Sequence, residues 1–519
     1  MISYPVVRDR LSRYKYYIVI GALFSIAWQQ IYYRFFRVPR NLRHIPSIAY
    51  AQQLLALLRG EPITLRTQRL VFPLLSKANG IYLNRAPFLW TIFVANPVLA
   101  KEVLFKSELA NKNTILDAFP KDSAFVEFVG KDNVAFSNGE KWKRQRKIMN
   151  PIFHRATTAA AFASVTLKLF RVIDDTQAAG SHVAVPILMK RLALEALGRT
   201  MFGFDFGGLE DEGSEWVAAC NEVFTSFSDF TSLSARADAM LRVFSRSRQE
   251  KYKARFRLIN MFDDMIEQRR VTLLDTKETS STNVPDNEKD LLTLLLEAEM
   301  RGEGTWRKNE LRYNIATLFF AGHDTTASTL SFALYSLAVN KEVQSKAREE
   351  VNDLLGNNHN DVAPTLEQCK QLPYIDMIIK ETLRMYSPSD HLFARVASDD
   401  LELGGVLIPK GAKVSVDFHA LHYHPDLWEA PERFIPERFS DSGEHSKHEG
   451  ITWAPFSGGS RQCIGLNFSM TEQRVALSML LRKYEWELPA GSIHEKGLVM
   501  DQPYNFAPMS LELRFKKIY

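Results

Sequence analysis

Apolar residues recur at helical spacing along most of the chain after residue 46. Residues at i, i+3, i+4 and i+7 share one face of a helix, so this spacing predicts amphipathic helices. The predicted helices are YAQQLLALLRG, NPVLAKEVLFKSELA and residues 140–170, 186–202, 214–227, 247–273, 290–300 and 308–339. Strands are predicted in GIYLNRAPFLWTIFVAN, at 395–418 and at 493–519, and a polar surface loop at 275–290. The pattern therefore predicts one large domain over 46–519 that is mainly α with small β-sheets.

A long uncharged run precedes this domain. Residues 16–33 contain eighteen residues without a charge, which as a helix would span roughly 27 Å and could cross a thin membrane. The basic and proline-containing segment RFFRVPRNLRHIP follows instead of a small-residue cleavage site. We therefore expect residues 1–45 to be a retained membrane anchor with its connector. A buried core helix and a cleaved signal peptide are the alternatives, and basic residues at both ends leave the orientation open.

Composition excludes several classes of protein. Three cysteines in 519 residues, widely spaced, do not suggest a disulfide framework and suit a reducing compartment. The net charge of +5 is mild, the basic residues are dispersed, and no nucleic-acid-binding motif occurs. Nucleic acid is therefore not an expected partner.

The loop FSGGSRQCIG offers what a thiolate metal ligand needs. Its glycines allow a tight backbone turn around Cys463, and the apolar helix that follows would place the sulfur near a helix N-terminus, where negative charge is stabilised. Arg461 could pair with an anionic group of a cofactor. The alternative is a buried, inert cysteine beside a tight turn.

Three further stretches combine unusual residues on predicted helices. In FAGHDTTAS, Gly322 removes bulk where a ligand could approach the backbone, Asp324 could relay protons, and the Thr325 hydroxyl could bond to the carbonyl of Ala321. In KETLRMYSP a glutamate and an arginine at i, i+3 can pair, and EKWKRQRKIMNP places a tryptophan and an arginine on one face beside a basic face. A kinked core helix, a surface salt bridge and a solvated basic helix are the respective alternatives.

Taken together, these motifs resemble the cytochrome P450 family. FSGGSRQCIG matches the family's haem-binding pattern Phe-x-x-Gly-x-Arg-x-Cys-x-Gly. AGHDTT is similar to the motif of the family's oxygen-activating helix, ETLR to its Glu-x-x-Arg motif, and PERF to the segment whose arginine completes a structural triad. The motifs follow the family's order between residue 46 and the C-terminus, and the apolar N-terminus is similar to the anchor of eukaryotic, microsomal, fungal-like members.

The resemblance implies a cytochrome P450 fold preceded by a single N-terminal transmembrane helix. It implies haem b as cofactor, with Cys463 as the axial ligand of the iron and a source of electron density for O–O cleavage. Asp324 and Thr325 would deliver protons during oxygen activation. The residues implied to contact the haem or its propionates are Trp142, Arg146, Arg395, Phe456, Gly459, Arg461 and Gly465.

A structural triad of Glu381, Arg384 and Arg438 is also implied by the resemblance. The doubled PERFIPERF leaves Arg433 as an alternative to Arg438, and we choose the second copy. A basic helix face is a candidate docking surface for an acidic reductase, with a plain solvated face as its alternative. The residues of this face are Lys141, Lys143, Arg144 and Lys147.

The activity implied is that of a membrane-anchored haem-thiolate monooxygenase, with the anchor in the endoplasmic reticulum and the catalytic domain in the cytosol. It would hydroxylate or epoxidise a lipophilic small molecule with O2. No flavin domain fits in the chain, so NADPH would supply electrons through a separate NADPH-cytochrome P450 reductase, with cytochrome b5 as a second candidate donor. The substrate class stays open among fatty acids, steroids, terpenoids and other secondary metabolites, with contacts expected at 110–130, at 205–240, at Phe393 and in the C-terminal YNFAPMS.

Three other functions remain as alternatives. One is a haem-thiolate isomerase or dehydratase that needs no reductase, which the intact Asp324–Thr325 pair disfavours. A non-catalytic haem sensor would need neither a membrane span nor a proton relay. A cleaved, secreted protein is disfavoured by the cysteine count.

Overall fold

The structure is a computed structural model of the chain. It describes residues 17–519 apart from short gaps. The gaps are residues 18, 27, 31, 33–35, 87–88, 107–108, 110, 113–123, 156–158, 212, 229–234, 279–288, 303–305, 307–308 and 501–506.

Helices make up most of the described chain. In chain order they are α1 (Tyr50–Leu58), α2 (Ile63–Arg66), α3 (Phe72–Leu75), α4 (Pro97–Phe105), α5 (Ala124–Val129), α6 (Gly139–Arg155), α7 (Ala159–Ala178), α8 (Val185–Leu197), α9 (Glu215–Ser228), α10 (Ala235–Phe244), α11 (Arg246–Glu278), α12 (Leu291–Met300), α13 (Glu310–Val339), α14 (Lys341–Leu355), α15 (Leu366–Lys370), α16 (Pro373–Met385), α17 (Phe418–His422) and α18 (Leu466–Lys483).

The strands are short and form three small sheets. They are β1 (Ile81–Ala86), β2 (Leu89–Val94), β3 (Val183–Ala184), β4 (Arg395–Val396), β5 (Leu401–Leu403), β6 (Val406–Ile408), β7 (Lys413–Val416), β8 (Tyr484–Glu487) and β9 (Glu512–Lys517). The sheet orders are β1-β2-β7-β4, β3-β9-β8 and β5-β6. Strands β2 and β7 pair in parallel, which joins the N-terminal hairpin to a segment more than three hundred residues later.

Most predicted elements are present, and the differences have simple causes. The strand pair β1–β2 and the strands within 395–418 are confirmed, and Gly404 and Gly405, with φ of 55° and 82°, form the two-residue turn between β5 and β6. The single helix predicted at 140–170 is wrong: two helices, α6 and α7, lie there, and the apolar spacing runs through both. Of the described residues within 493–519, only β9 is a strand, and it pairs with β8, which the pattern did not predict.

Helix α14 was also not predicted. Its sequence KEVQSKAREEVNDLL is mostly polar, and the positions that it buries include Ala347 and Val351 but also the polar Gln344. The Gln344 side chain donates to the carbonyl oxygens of Leu337 at 2.9 Å and Trp486 at 3.0 Å. This buried position is thus occupied by an amide with hydrogen-bond partners outside α14, and not by the apolar residue that the helical pattern requires.

The predicted membrane span at 16–33 lies partly outside the described residues. Residues 17, 19–26 and 28–30 are helical. Within the part of the chain that is described, no helix has the length and apolar character that crossing a membrane requires. The membrane anchor therefore stays a prediction.

Helix α13 is the centre of the core. Residues on nearly every side of it are buried, as expected for a helix enclosed by others. Helix α8 packs along it, and α16, α18 and α14 also contact it. The packing of these helices around α13 therefore fixes the position of its accessible side.

A buried charge network fixes the segment that precedes the FSGGSRQCIG loop. The Arg384 guanidinium donates to both carboxylate oxygens of Glu381 at 2.7 and 2.8 Å, and Arg438 Nε donates to Glu381 Oε1 at 3.3 Å. Arg438 also pairs with Glu444, so two positive and two negative charges meet in the network. The side chain of Arg433, by contrast, is exposed. Buried charges that are paired in this way avoid most of their desolvation cost.

The same network attaches loops to helix α16. Arg384 also donates to the carbonyl oxygens of His422 at 2.7 Å and Pro431 at 2.8 Å. The Trp453 indole donates to the Lys380 carbonyl at 3.0 Å. The chain between residues 430 and 453 is therefore held against α16 just before the cysteine loop begins.

We predict that Glu381→Gln destabilises the protein strongly. The amide has the shape of the carboxylate but leaves the buried Arg384 without its charge partner and Arg438 with Glu444 alone, which costs about 3 kcal/mol or more in free energy of unfolding. Urea unfolding followed by tryptophan fluorescence measures this loss.

Glu367→Gln is the matched control. Glu367 forms an i, i+3 pair with Lys370 at 2.8 Å, but its side chain is 75% exposed. Removing it should change the free energy of unfolding by less than about 0.5 kcal/mol. Equal effects of the two substitutions would contradict the role given to the buried network.

Candidate active site

The FSGGSRQCIG loop adopts one defined conformation. The Cys463 N–H donates to the Phe456 carbonyl at 2.9 Å, which closes the loop. Gly459 has a φ of 64°, and a Cβ there would lie 2.4 Å from the carbonyl oxygen of Leu104, so no other residue fits. Gly465 precedes the first residue of α18, and its N–H donates to the Cys463 sulfur. The cysteine thus lies at a helix N-terminus, as the sequence predicted.

Cys463 differs from the other two cysteines. Cys220 and Cys369 are buried, whereas Cys463 has an accessible side chain. It nevertheless lies deep in the protein, and this removal from bulk water raises the pKa of the Cys463 thiol, while the Gly465 N–H and the cations Lys112 and Arg146 lower it. Accessibility next to positive charge is typical of a cysteine that functions as a ligand or nucleophile.

Arg395 approaches the loop from β4 and is fully buried. Its Nη1 donates to three carbonyl oxygens, of Val103 at 3.0 Å, Leu104 at 3.1 Å and Leu109 at 3.3 Å. Its Nε and Nη2 are buried and have no hydrogen-bond partner among the described residues. Burial lowers the pKa of Arg395 to about 10, yet the group stays charged at neutral pH.

Arg461 and Arg146 complete this side of the site. The Arg461 guanidinium stacks on Trp142, 3.9 Å from the ring centroid, and donates to the Ser137 carbonyl at 2.9 Å and the Asn138 side chain at 2.8 Å. Arg146 Nη2 donates to the Gln462 carbonyl at 3.1 Å. Both arginines are thus tied to the main chain or an amide beside Cys463.

The sequence did not predict that Lys112 belongs to this cluster. Its ammonium lies 5.7 Å from the centroid of the Phe393 ring. Burial lowers the pKa of Lys112 to about 7, and the nearby Arg461 and Arg395 add to the effect. No motif surrounds Lys112, so only the tertiary structure shows that it lies here.

The cluster has positive charge without matching negative charge. Among the described residues, no carboxylate forms an ion pair with Lys112, Arg146 or Arg395. Buried charges are normally paired. A ligand with carboxylate groups fits the unused donors of Arg395 and the ammonium of Lys112.

The AGHDTT motif distributes its residues over three sides of α13. Ala321 and Thr325, four apart, are exposed, whereas Phe319, His323 and Thr326 are buried, so this side of α13 borders open space. The Thr325 hydroxyl donates to the Ala321 carbonyl at 2.6 Å, as the sequence predicted. Thr326 lies 3.2 Å from the Ser469 hydroxyl and so links α13 to the helix that follows Cys463.

The third side of the motif faces α8. A Cβ at Gly322 would lie 3.0 Å from Leu197, so this glycine allows close helix packing; the expectation that it makes room for a ligand is wrong. Asp324 pairs with Lys190 at 3.0 Å, and both side chains are partly exposed. His323 is buried and hydrogen-bonds to the main chain of Lys190, and burial lowers its pKa to about 4. Asp324 therefore faces α8 and water, whereas Thr325 faces the open space.

The basic face on α6 is partly neutralised. Lys141 pairs with Asp132 at 2.6 Å, Lys143 with Glu140 at 2.7 Å, and Arg144 with the buried Glu310 at 2.5 Å. Lys147 is exposed. The surface charge offered to an acidic partner is thus smaller than the sequence alone suggests.

Comparison with known proteins agrees with this arrangement. A family model described as Cytochrome P450 matches residues 80–503. The chain is 31% identical to Cytochrome P450 4V2 of Mus musculus over 70% of each chain, and 27% identical to Cytochrome P450 3A16 of Mus musculus over 79% of each chain. The crystal structure of the cytochrome P450DA heme domain superposes with a TM-score of 0.74, covering 92% of this chain and 98% of that chain at 24% identity, and so shows the same fold. The chain belongs to the cytochrome P450 family and is a monooxygenase.

Proposed function

We propose that Cys463 binds the iron of haem b as its axial thiolate ligand. The observation that carries the proposal is the accessible Cys463 at the N-terminus of α18, beside buried cations that no acid of the described chain neutralises. When bound, the haem supplies the oxygen chemistry, which the protein could not perform alone. The Gly465 N–H, which donates to the sulfur, would tune the electron density of the thiolate.

The cation cluster would bind the haem propionates. Arg395 offers two buried donors, and the ammonium of Lys112 adds a charge that the sequence did not predict. Arg146, Arg461 and the Trp142 that stacks on Arg461 would complete the set. The planar guanidinium groups suit carboxylates, because two parallel hydrogen bonds can form. Phe456, Gly459 and Gly465 shape the loop that presents Cys463.

Asp324 and Thr325 would deliver protons into the open space beside α13. Asp324 is partly exposed and held by Lys190, so water can exchange protons with it. Thr325 is adjacent in sequence and exposed on the side of the open space. Its hydroxyl bonds to the Ala321 carbonyl through its hydrogen, which leaves its oxygen lone pairs free to accept a bond from water or a reacting group.

The substrate would be a lipophilic small molecule that is hydroxylated or epoxidised. Phe393 is 48% exposed, lies in the same region as Lys112 and packs edge-on against Phe136, with ring centroids 5.9 Å apart. An accessible aromatic ring beside a buried site favours an apolar ligand. Fatty acids, steroids, terpenoids and other secondary metabolites all fit this description.

Electrons would come from NADPH through a separate cytochrome P450 reductase, or in part through cytochrome b5. The exposed Lys147 on α6, next to Arg146 in the sequence, is the strongest candidate for a contact with such an acidic partner. The uncharged run at 16–33 supports membrane anchoring in the endoplasmic reticulum, with residues 46–519 as the cytosolic catalytic domain.

We predict that Cys463→Ser abolishes the thiolate-haem spectrum. Serine has the shape of cysteine but no sulfur donor, so the reduced carbon monoxide complex should lose its long-wavelength Soret band. Difference spectroscopy of the purified protein measures this directly. Cys369→Ser changes a buried cysteine away from the site and should keep the band. A band that persists in Cys463→Ser would reject this cysteine as the ligand.

We predict that Thr325→Ala uncouples electron consumption from product formation. Without the hydroxyl, protons reach the wrong position or too slowly, and hydrogen peroxide should form at the expense of product, which falls by about tenfold or more. Peroxide released per NADPH consumed, measured in a reconstituted reductase system, gives the ratio.

Thr329→Ala is the matched control for this experiment. Its hydroxyl makes the same bond one turn later, to the Thr325 carbonyl at 2.8 Å, but the side chain is buried in protein. Thr329→Ala should leave the ratio of peroxide released to NADPH consumed unchanged. Unchanged coupling in Thr325→Ala would reject Thr325 as part of the proton relay.

A further inference from the structure

We propose that Asn138 is a positioning residue that holds Lys112 within reach of the carboxylates of the bound haem. The inference rests on the proposed function, because it assumes that haem occupies the site beside Cys463. Neither residue belongs to a motif that the sequence identified. Asn138 lies at the start of α6, and Lys112 belongs to a separate segment twenty-six residues earlier.

Asn138 holds the Lys112 main chain with both ends of its amide. Its Oδ1 accepts from the Lys112 N–H at 3.0 Å, and its Nδ2 donates to the Lys112 carbonyl at 3.0 Å. A side-chain amide can offer an acceptor and a donor side by side, so Asn138 pairs with Lys112 as a neighbouring strand would. No other residue type of this length makes both bonds.

The opposite side of the same segment is paired with β4. Lys112 and Arg395 form an isolated antiparallel bridge, and the Val396 N–H donates to the Asn111 carbonyl at 2.9 Å. This pairing leaves the main-chain N–H and C=O of Lys112 pointing away from β4, and Asn138 binds both. The ammonium of Lys112 is thus carried by a backbone that is held from two sides, next to the arginine with unused donors.

Asn138 also connects Lys112 to the cysteine loop. Its Oδ1 accepts a second hydrogen bond, from Arg461 Nη2 at 2.8 Å. The uncharged Oδ1 atom of Asn138 therefore binds the Lys112 main chain and the Arg461 side chain without neutralising the charge of either residue. An aspartate at 138 would have a similar shape, but it would add a negative charge between the cations and would compete with the carboxylates of the ligand.

The experiment measures haem retention and the haem reduction potential in the purified holoenzyme. Haem loss is followed as transfer to an excess of apomyoglobin. Asn138→Ala should accelerate haem loss by about tenfold, which is what the loss of a hydrogen-bonded charge contact predicts. Lys112→Met, which removes only the charge, should do the same. Both should shift the reduction potential to more negative values, because a positive charge near the haem favours the reduced form.

The double substitution tests whether Asn138 acts through Lys112. If it does, Asn138→Ala in the Lys112→Met background should add little to either measurement. Asn138→Asp, which also adds a negative charge beside Arg461, should shift the potential further than Asn138→Ala. An Asn138→Ala effect of full size in the Lys112→Met background, or no effect at all, would overturn the proposal.

Control measurements distinguish a failure of this proposal from a failure of folding or of the proposed function. Asn96→Ala removes a helix cap that accepts from Val98 and Leu99 at 3.0 and 3.1 Å, at the opposite end of α4 from the carbonyls that bind Arg395, and should leave haem loss and potential unchanged. If Asn138→Ala does not fold, Asn138→Ser, which is too short to reach both main-chain atoms of Lys112, replaces it. A wild-type protein without a thiolate-haem spectrum would reject the proposed function itself, before Asn138 is tested.

Discussion

Unbalanced positive charge beside Cys463 is the constraint on which this site depends. Removing a guanidinium from water is costly, and the protein offers Arg395 carbonyl oxygens rather than a carboxylate. Those carbonyls belong to the end of α4 and the residues after it, while Arg461 and Arg146 bond to the start of α6 and to the cysteine loop. Four distant segments are therefore fixed around cations, and no carboxylate of the described part of the chain pairs with Lys112, Arg146 or Arg395.

The arginines around Glu381 and the arginines beside Cys463 differ in how their charges are balanced. Around Glu381 the charges balance within the chain, so the network holds loops against α16 without any ligand. Beside Cys463 the described residues provide no such balance, which suits the anionic ligand proposed above. The first cluster positions the second, since it holds the segment that leads into the cysteine loop.

The residues of the AGHDTT motif point in different directions around the axis of α13, and their contacts differ accordingly. Successive residues of a helix point about 100° apart, so Gly322, His323 and Asp324 can engage α8 while Ala321 and Thr325 face the open space. Asp324 is thereby accessible to water on one side of the helix, and Thr325 to the site on the other. These two neighbouring residues thus meet different environments, which suits the proton delivery proposed above.

Local features of the site could be predicted from the sequence because neighbours along the chain determine them. The helices, the Gly404–Gly405 turn, the hydrogen bond from Thr325 to Ala321 and the position of Cys463 just before α18 all follow from residues within a few positions of each other. Lys112, Lys190 and Asn138 could not be found in this way, and neither could the contact of Gly322 with Leu197. Their neighbours lie tens to hundreds of residues away, and packing alone decides which distant charge or amide comes within hydrogen-bonding distance.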